Sequence, residues 1–531
     1  MTARARTRPA FPGVLEALNL RELATRFAWP MVLLLGISVR AFHVLRSSFP
    51  LNDGGLFFVM AGDIQRHAFA LPDLTTYNGG EIPFAYPPAA LYLIAALDVV
   101  LPVSLLTLFR VLPLLGAIAT LFAFAALART LLRSEREALI ATAAFGLMPA
   151  AFAWMLPGGG LPRGFALALA LLATRQAYGL VSTRREPGER LLALQRPVAL
   201  TTLFAAGTLL CHLETAAFLG ITFALVATLR GRGGLARLGS VAILTAAVTA
   251  PWWGVVVARH GLEPFLASMD QGGALLDDGR ISWPALRYAL LHPISTGESE
   301  LPLLSSVAMA GGLLALLRGR LLLPLWCVSL AVVAMRASPT FGSVPAALLV
   351  GLGAGALFDA VARLGEDPRR WTAPAAVLGG CLLLAASNAL AADRGPAAAL
   401  HPLPEADRAA MTWAAANIPP DARFVVVPAT GWWVDSPSEW FPAIARRESL
   451  ATPQGNEWLK GEFAARLELH GRLSQCAEAS VACLDEAAGP VAWTHVYVPA
   501  HCCQGLKDAL RVSGTYTVDY DRSGVLIARR R

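Results

Sequence analysis

Charge is what this sequence has least of. Only 15% of its 531 residues are Asp, Glu, Lys or Arg, against about 25% in a soluble globular protein. Lysine is nearly missing, with Lys460 and Lys507 alone. Cysteine is sparse, at 7 residues. These shortages exclude an ordinary soluble enzyme, a disordered chain and a secreted disulfide scaffold. No basic cluster carries interleaved aromatics, so a nucleic-acid partner is not expected. No P-loop and no GxGxxG in a strand–helix context appears, so direct nucleotide chemistry is unsupported. What is abundant is apolar sequence: 55% of residues, in repeated runs close to the ~20 needed to cross a bilayer. The expected class is an α-helical polytopic membrane protein. Its formal charge of +7 then reports topology rather than an anionic partner.

Residues 1–26 form a basic N-terminus with Arg4, Arg6, Arg8, Arg21 and Arg26. The apolar run Phe27–Leu45 follows without a small-residue cleavage site, as in a signal anchor. Further spans are expected at 105–128, 138–156, 164–182, 198–213, 215–229, 239–257, 302–317, 321–336, 342–361 and 372–392. Arginines fall in every second loop: Arg129–Arg136, Arg184–Arg196, Arg230–Arg237, Arg318–Arg320 and Arg363–Arg370. That alternation predicts eleven crossings, with the N-terminus cytoplasmic and the C-terminus outside. Residues 86–104 are apolar enough to cross, but a crossing there would invert the arginine pattern. They read as a half-inserted piece. The domains expected are 1–26, a membrane domain 27–394 with an outer loop 46–90, and an extracytoplasmic domain 395–531. In the last, helices and strands alternate, as in a small α/β domain. Its four cysteines, Cys476, Cys483, Cys502 and Cys503, allow three pairings in an oxidising compartment. A zinc site using them with His495 or His501 lacks CxxC spacing.

The outer loop is the most informative stretch. Asn52-Asp53-Gly54-Gly55 stands just past the first span. Leu56, Phe57, Met60, Ala61 and Ile64 then share one helical face, which suits a helix lying in the membrane interface. Asp53 admits two readings: helix N-cap, or general base for an acceptor hydroxyl beside the bilayer. Asp63 reads as solvated on the polar face. Glu81 precedes the return IPFAYPP and is the preferred second carboxylate; Tyr86 either opens a helix or lines a substrate path.

An acidic residue after the first span, an interfacial helix and a YPP return resemble the GT-C superfamily of integral-membrane glycosyltransferases. The sequence resembles the bacterial branch that includes protein O-mannosyltransferases and aminoarabinose transferases. The likeness covers about residues 20–390, and PLNDGGLFFVMAGDI and EWFPAIARRESLATPQGNEWL look like a bacterial group within it. It implies a multi-pass protein of a bacterial plasma membrane. Its implied donor is a polyprenyl-phosphate-linked sugar, and its acceptor a glycan, lipid or protein outside the membrane. Asp53 takes the position of the catalytic carboxylate. Many relatives carry a second acidic residue next; Gly54 stands there instead, which argues against a metal held by an adjacent acidic pair. No metal ligand is assigned, no cofactor is required, and a divalent cation stays open.

A donor that already carries a phosphate leaving group needs one base and a facing cation. Glycoside hydrolysis needs two carboxylates because its leaving group must be protonated. Arg163, in PGGGLPRG, is the preferred phosphate partner, or else a snorkelling residue. Arg280 is a weaker candidate. Arg40 lies inside the first span and reads as snorkelling beside His43. His212 and Glu214 lie two apart between spans; a chain break there would let both face an outer cavity. Trp432, Trp433 and Trp440 suit either sugar stacking or a core. The acidic loop 258–301 reads as solvated. The alternatives are a non-catalytic membrane scaffold and a lipid-linked-sugar transporter, although the inverted repeats of a transporter are not visible.

Overall fold

The computed structural model describes residues 20–182, 191–270, 276–277, 280–281, 283, 286–287, 294–298, 301–333, 338–363, 372–394, 398–477, 480–489 and 491–531. The arginines of 1–19, 183–190 and 364–371, and Asp278, lie outside these residues. The protein is mostly helical. Among the described residues, six helices are long and apolar enough to cross a membrane: Phe27–Leu45, Leu105–Leu131, Gly160–Ser182, Leu213–Arg230, Arg232–His260 and Pro339–Val361. Shorter apolar helices are Ala89–Val100, Arg196–Cys211, Leu303–Leu317, Leu322–Val332 and Ala376–Leu390.

The expected spans meet helices, with one shortened. Helix Glu135–Leu147 stops well before 156, and a 3-10 turn and loop carry the chain to Gly160. The piece at 86–104 is a helix of 12 residues, Ala89–Val100. At 1.5 Å per residue it is about 18 Å long, short of the ~30 Å hydrocarbon core. The chain then turns, and the Ser104 hydroxyl caps the next helix by accepting Thr107 N–H.

Arg40 does not snorkel. It is fully buried, and its guanidinium donates to Gly36 O at 3.0 Å and Gly146 O at 2.7 Å. Gly36 lets the two helices approach, since a Cβ there would sit 3.2 Å from Gly146 Cα. The last carbonyls of helix Glu135–Leu147 have no intrahelical partner, so they accept the buried cation.

The C-terminal domain holds a five-stranded sheet. Its order is Glu448–Ser449, Arg423–Val426, His495–Val498, Val525–Arg530, Tyr516–Arg522. The first three run parallel and the last two pair antiparallel. Alternation along Phe424-Val425-Val426-Val427 buries both faces. Phe424 and Val426 join a core with Trp440 and Phe441 that continues into Leu56, Met60 and Ile64. Helix Gly55–Arg66 is therefore not a surface helix on lipid; its apolar face packs on the C-terminal domain. Val425 and Val427 face Leu473, Leu484 and Leu506 on the other side. Strand Glu448–Ser449 and helix Val481–Ala488 were not foreseen. Disulfides join Cys476 to Cys483 and Cys502 to Cys503, which leaves none of these thiols for zinc.

Candidate functional site

Asp53 enters the site from a backbone held on both sides. Asn52 N–H donates to His401 O at 2.7 Å, and Asn52 O accepts from Trp440 Nε1 at 2.8 Å. The Asn52 amide donates to Trp433 O at 3.0 Å. Trp440 is fully buried and belongs to the core, not to a sugar platform. Asp53 is not the N-cap of the next helix. That position is Gly54, whose φ of 126° lies outside the range side chains tolerate. A Cβ on Gly54 would also meet Gly158 backbone at 3.0 Å. An acidic residue after Asp53 has no room here.

The Asp53 carboxylate points instead at the glycine turn before helix Gly160–Ser182. Oδ1 accepts Gly159 N–H at 2.9 Å. A Cβ on Gly159 would lie 2.6 Å from Oδ2, so glycine permits the contact. Asp53 is half-buried. Burial pushes its carboxyl above the ordinary carboxylate range, against the opposing pull of Arg163 and the Gly159 N–H.

Arg163 sits in the first turn of helix Gly160–Ser182 rather than in a loop. It is half-buried, and Nη1 donates to Trp154 O at 2.8 Å. Among the described residues, Nη2 and Nε make no hydrogen bond. Tyr86 is half-buried between Phe57 (ring centroids 4.5 Å), Trp458 (6.0 Å) and His212 (6.3 Å). Burial raises its phenol, with Arg163 opposing and Glu214 and Asp53 adding to the rise. These groups feel each other because they share one site.

The chain breaks at His212, whose backbone is extended (φ −159°, ψ 123°). Its Nδ1 accepts Thr215 N–H at 3.2 Å and so caps helix Leu213–Arg230. A neutral imidazole then carries its proton on Nε2, which lies 4.0 Å from Glu214 Oε2. His212 is buried and Glu214 half-buried. The break sets the His212 ring beside Tyr86.

Glu81 is exposed on the ribbon that pairs Thr75 with Ile82. Asp63 is fully buried, not solvated: its oxygens accept from Thr75 Oγ1 at 2.7 Å, Thr76 N–H at 2.9 Å and the Arg66 guanidinium. Arg280 lies in a short antiparallel ribbon with Asp277, and its side chain is outside the described residues.

The second carboxylate is Glu439, which the sequence did not single out. It is 4% exposed, and Oε1 accepts Gly54 N–H at 3.0 Å and Leu56 N–H at 3.5 Å. Burial, then the nearby Asp53 charge, push its carboxyl far above the usual range. Of this pair Glu439 is pushed up the further, because burial and the Asp53 charge act on it together. Among the described residues no three His, Cys, Asp or Glu side chains converge as a metal cage requires.

No protein-family model matches the chain, and no curated protein matches it in sequence. Solved structures match at low identity. The oligosaccharyltransferase AglB from Archaeoglobus fulgidus, bound to an inhibitory peptide and a dolichol-phosphate, is 14% identical with a TM-score of 0.59. The match covers 96% of this chain and 74% of that one. ArnT from Cupriavidus metallidurans, bound to undecaprenyl phosphate, is 12% identical with a TM-score of 0.53, over 95% and 97%. The arabinofuranosyltransferase AftD from Mycobacteria is 16% identical with a TM-score of 0.52, over 97% of this chain and 40% of that one. The chain has the GT-C fold. Within a GT-C fold Asp53 occupies the loop after the first membrane helix, and the mixed sheet forms the domain that follows the last.

Proposed function

We propose that this protein is a membrane glycosyltransferase. It moves a sugar from a polyprenyl-phosphate-linked donor to a glycan, lipid or protein acceptor, with inversion, at the outer face of a bacterial plasma membrane. One observation carries the reading: a half-buried carboxylate, Asp53, is aimed by Gly159 N–H into a site that also holds the half-buried Arg163 guanidinium. The AglB and ArnT structures, which hold dolichol-phosphate and undecaprenyl phosphate, support the donor class.

In this scheme the acceptor oxygen attacks C1 of the donor sugar and Asp53 takes its proton. The C1–O bond to phosphate breaks, and the electron pair leaves on the polyprenyl phosphate. The free face of Arg163 pairs with the growing charge on that leaving group. No acid is needed for the leaving group, so a single base suffices in this scheme. In the same scheme Tyr86, Trp458 and the His212–Glu214 pair orient sugar hydroxyls.

The test is transfer by the purified full chain in lipid nanodiscs, with a panel of polyprenyl-phosphate sugars. Asp53→Asn, which keeps the acceptor for Gly159, is expected to lower transfer by about a hundredfold or more. Transfer at the wild-type rate would reject Asp53 as base. A wild-type protein inactive with every donor would favour the scaffold alternative.

A further inference from the structure

Helix Gly55–Arg66 has a second occupied face. Phe57 turns toward Tyr86 and the Asp53 site. Phe58, Val59 and Arg66 line a different cavity, of about 810 Å³, between this helix, Leu105 and the C-terminal domain. None of Asp53, Arg163, Tyr86 and His212 reaches it.

The far wall is Arg446 and Arg447. Arg446 ends helix Ser436–Ala445 in a left-handed conformation, φ 53° and ψ 40°, which is uncommon for a non-glycine residue. Its side chain is exposed, and among the described residues its guanidinium has no hydrogen-bond or ion-pair partner. Arg447 is only 9% exposed. Its terminal N–H groups donate to the carbonyls of Ala445, Arg446, Ala415 and Ile418, and its Nε is buried without a partner. No carboxylate hydrogen-bonds either arginine. Glu448, on the same wall, is already held by Arg423 at 2.8 and 3.0 Å. Arg66 is shared with Asp63 and Thr76. The exposed Asp421 lines the same cavity and acts on Arg447 through its charge. Arg446 is therefore the guanidinium of this wall that still has its N–H groups to offer an anion.

The cavity also borders apolar surface. Leu105 opens a membrane-crossing helix, and the end of the preceding helix Ala89–Val100 with its cap exposes Val99 at 65%, Val100 at 76% and Leu101 at 41%. A cationic pocket beside an apolar turn at a membrane boundary matches an anionic amphiphile. The forked guanidinium suits phosphate oxygens.

We propose that this cavity binds the phosphate headgroup of an anionic lipid, with Arg446 on the phosphate and the chains along Val99–Leu101. The site is separate from Asp53, and its test does not measure sugar transfer. Native mass spectrometry of the full chain in detergent would count adducts of short-chain phosphatidylglycerol and phosphatidylcholine. Phosphatidylglycerol is expected to bind about tenfold more tightly than phosphatidylcholine, whose choline cancels the phosphate charge. Arg446→Gly accepts the left-handed backbone and should weaken phosphatidylglycerol at least fivefold with unchanged melting. Arg446→Lys should retain most binding. Equal binding of the two lipids, or an unaltered Arg446→Gly, would overturn the site. Inorganic phosphate is the remaining arm: displacement of lipid by phosphate alone at comparable concentration would overturn the lipid source, and resistance to it supports the lipid.

Discussion

Glu439, in the C-terminal domain, caps the helix that begins two residues after Asp53. Its Oε1 accepts the N–H groups of Gly54 and Leu56, the first orphan donors of that helix. The membrane loop therefore has its cap supplied from 385 residues away in sequence. Gly54 cannot supply one, and Asp53 is turned toward Gly159. The C-terminal domain is thus part of the Asp53 site and not an appendage.

That relationship predicts a pH-dependent stability. Burial holds the proton on folded Glu439 to higher pH than in the unfolded chain, which releases it near the ordinary glutamate value of 4.5. The contribution is complete below that value and is lost as pH rises toward the raised folded value. Glu439→Gln keeps the acceptor oxygen and removes the titration. It should melt at a higher temperature than wild type at pH 8 and equally at pH 4. Glu439→Ala removes the cap and should cost about 0.5–2 kcal/mol at either pH. Calorimetry of the detergent-solubilised protein checks this. A wild-type and Gln pair that respond identically to pH would refute a protonated Glu439.

Much of this was legible in the sequence because the bilayer imposes length and apolarity on each crossing, and the arginine loops mark the ends. Asp53, Arg163, Tyr86, His212 and Glu214 stand out for the same reason: each is polar at the edge of an apolar run. Glu439 does not stand out. It sits in PSEWFP, inside a domain where charge is ordinary, and its pairing with Gly54 depends on tertiary packing that no spacing encodes. Arg40 and Asp63 were misjudged as solvated because a lone charge on a helix looks the same whether water or carbonyls and hydroxyls satisfy it. Glu81 was favoured for its nearness to the YPP return, but the ribbon from Leu74 to Pro83 turns it to solvent.

Gly159 should be intolerant of any side chain, for a geometric reason. A Cβ there meets both carboxylate oxygens of Asp53 at 2.6 and 2.8 Å. Gly159→Ala forces the carboxylate away while leaving the helix that follows free to form. A displacement near 1 Å at a reacting group costs about a hundredfold in rate. Turnover is expected to fall by that order with KM and melting temperature little altered. A rate within threefold of wild type would show that Asp53's position is not set by this turn.

Arg40 is a stability residue. It is fully buried and bonds Gly36 O and Gly146 O, with Phe145 O at 3.4 Å. Arg40→Met keeps most of the volume but strands the carbonyls at a helix end, at about 1–3 kcal/mol for each unpaired group. The variant should express poorly and melt earlier, with KM unchanged in the fraction that folds. Arg40→Lys should recover part of the loss, since one ammonium reaches fewer carbonyls than the guanidinium. Wild-type melting of Arg40→Met would remove the claim.

The pH profile of transfer ties Asp53 to Arg163. A general base works only when ionised, so transfer must fall as pH drops through the Asp53 value. Burial holds that value above the ordinary 3.8, and Arg163 is the largest influence pulling it back. Arg163→Gln should therefore do two things at once. It removes the cation facing the leaving phosphate, lowering turnover by about a hundredfold. It also moves the acid limb of the profile to higher pH, because the carboxylate has lost its stabilising charge. A residue that merely held the fold would lower the rate without moving the limb. Turnover against pH for wild type and Arg163→Gln, on one donor and one acceptor, separates the cases; a limb that stays in place would mean Arg163 does not act on Asp53.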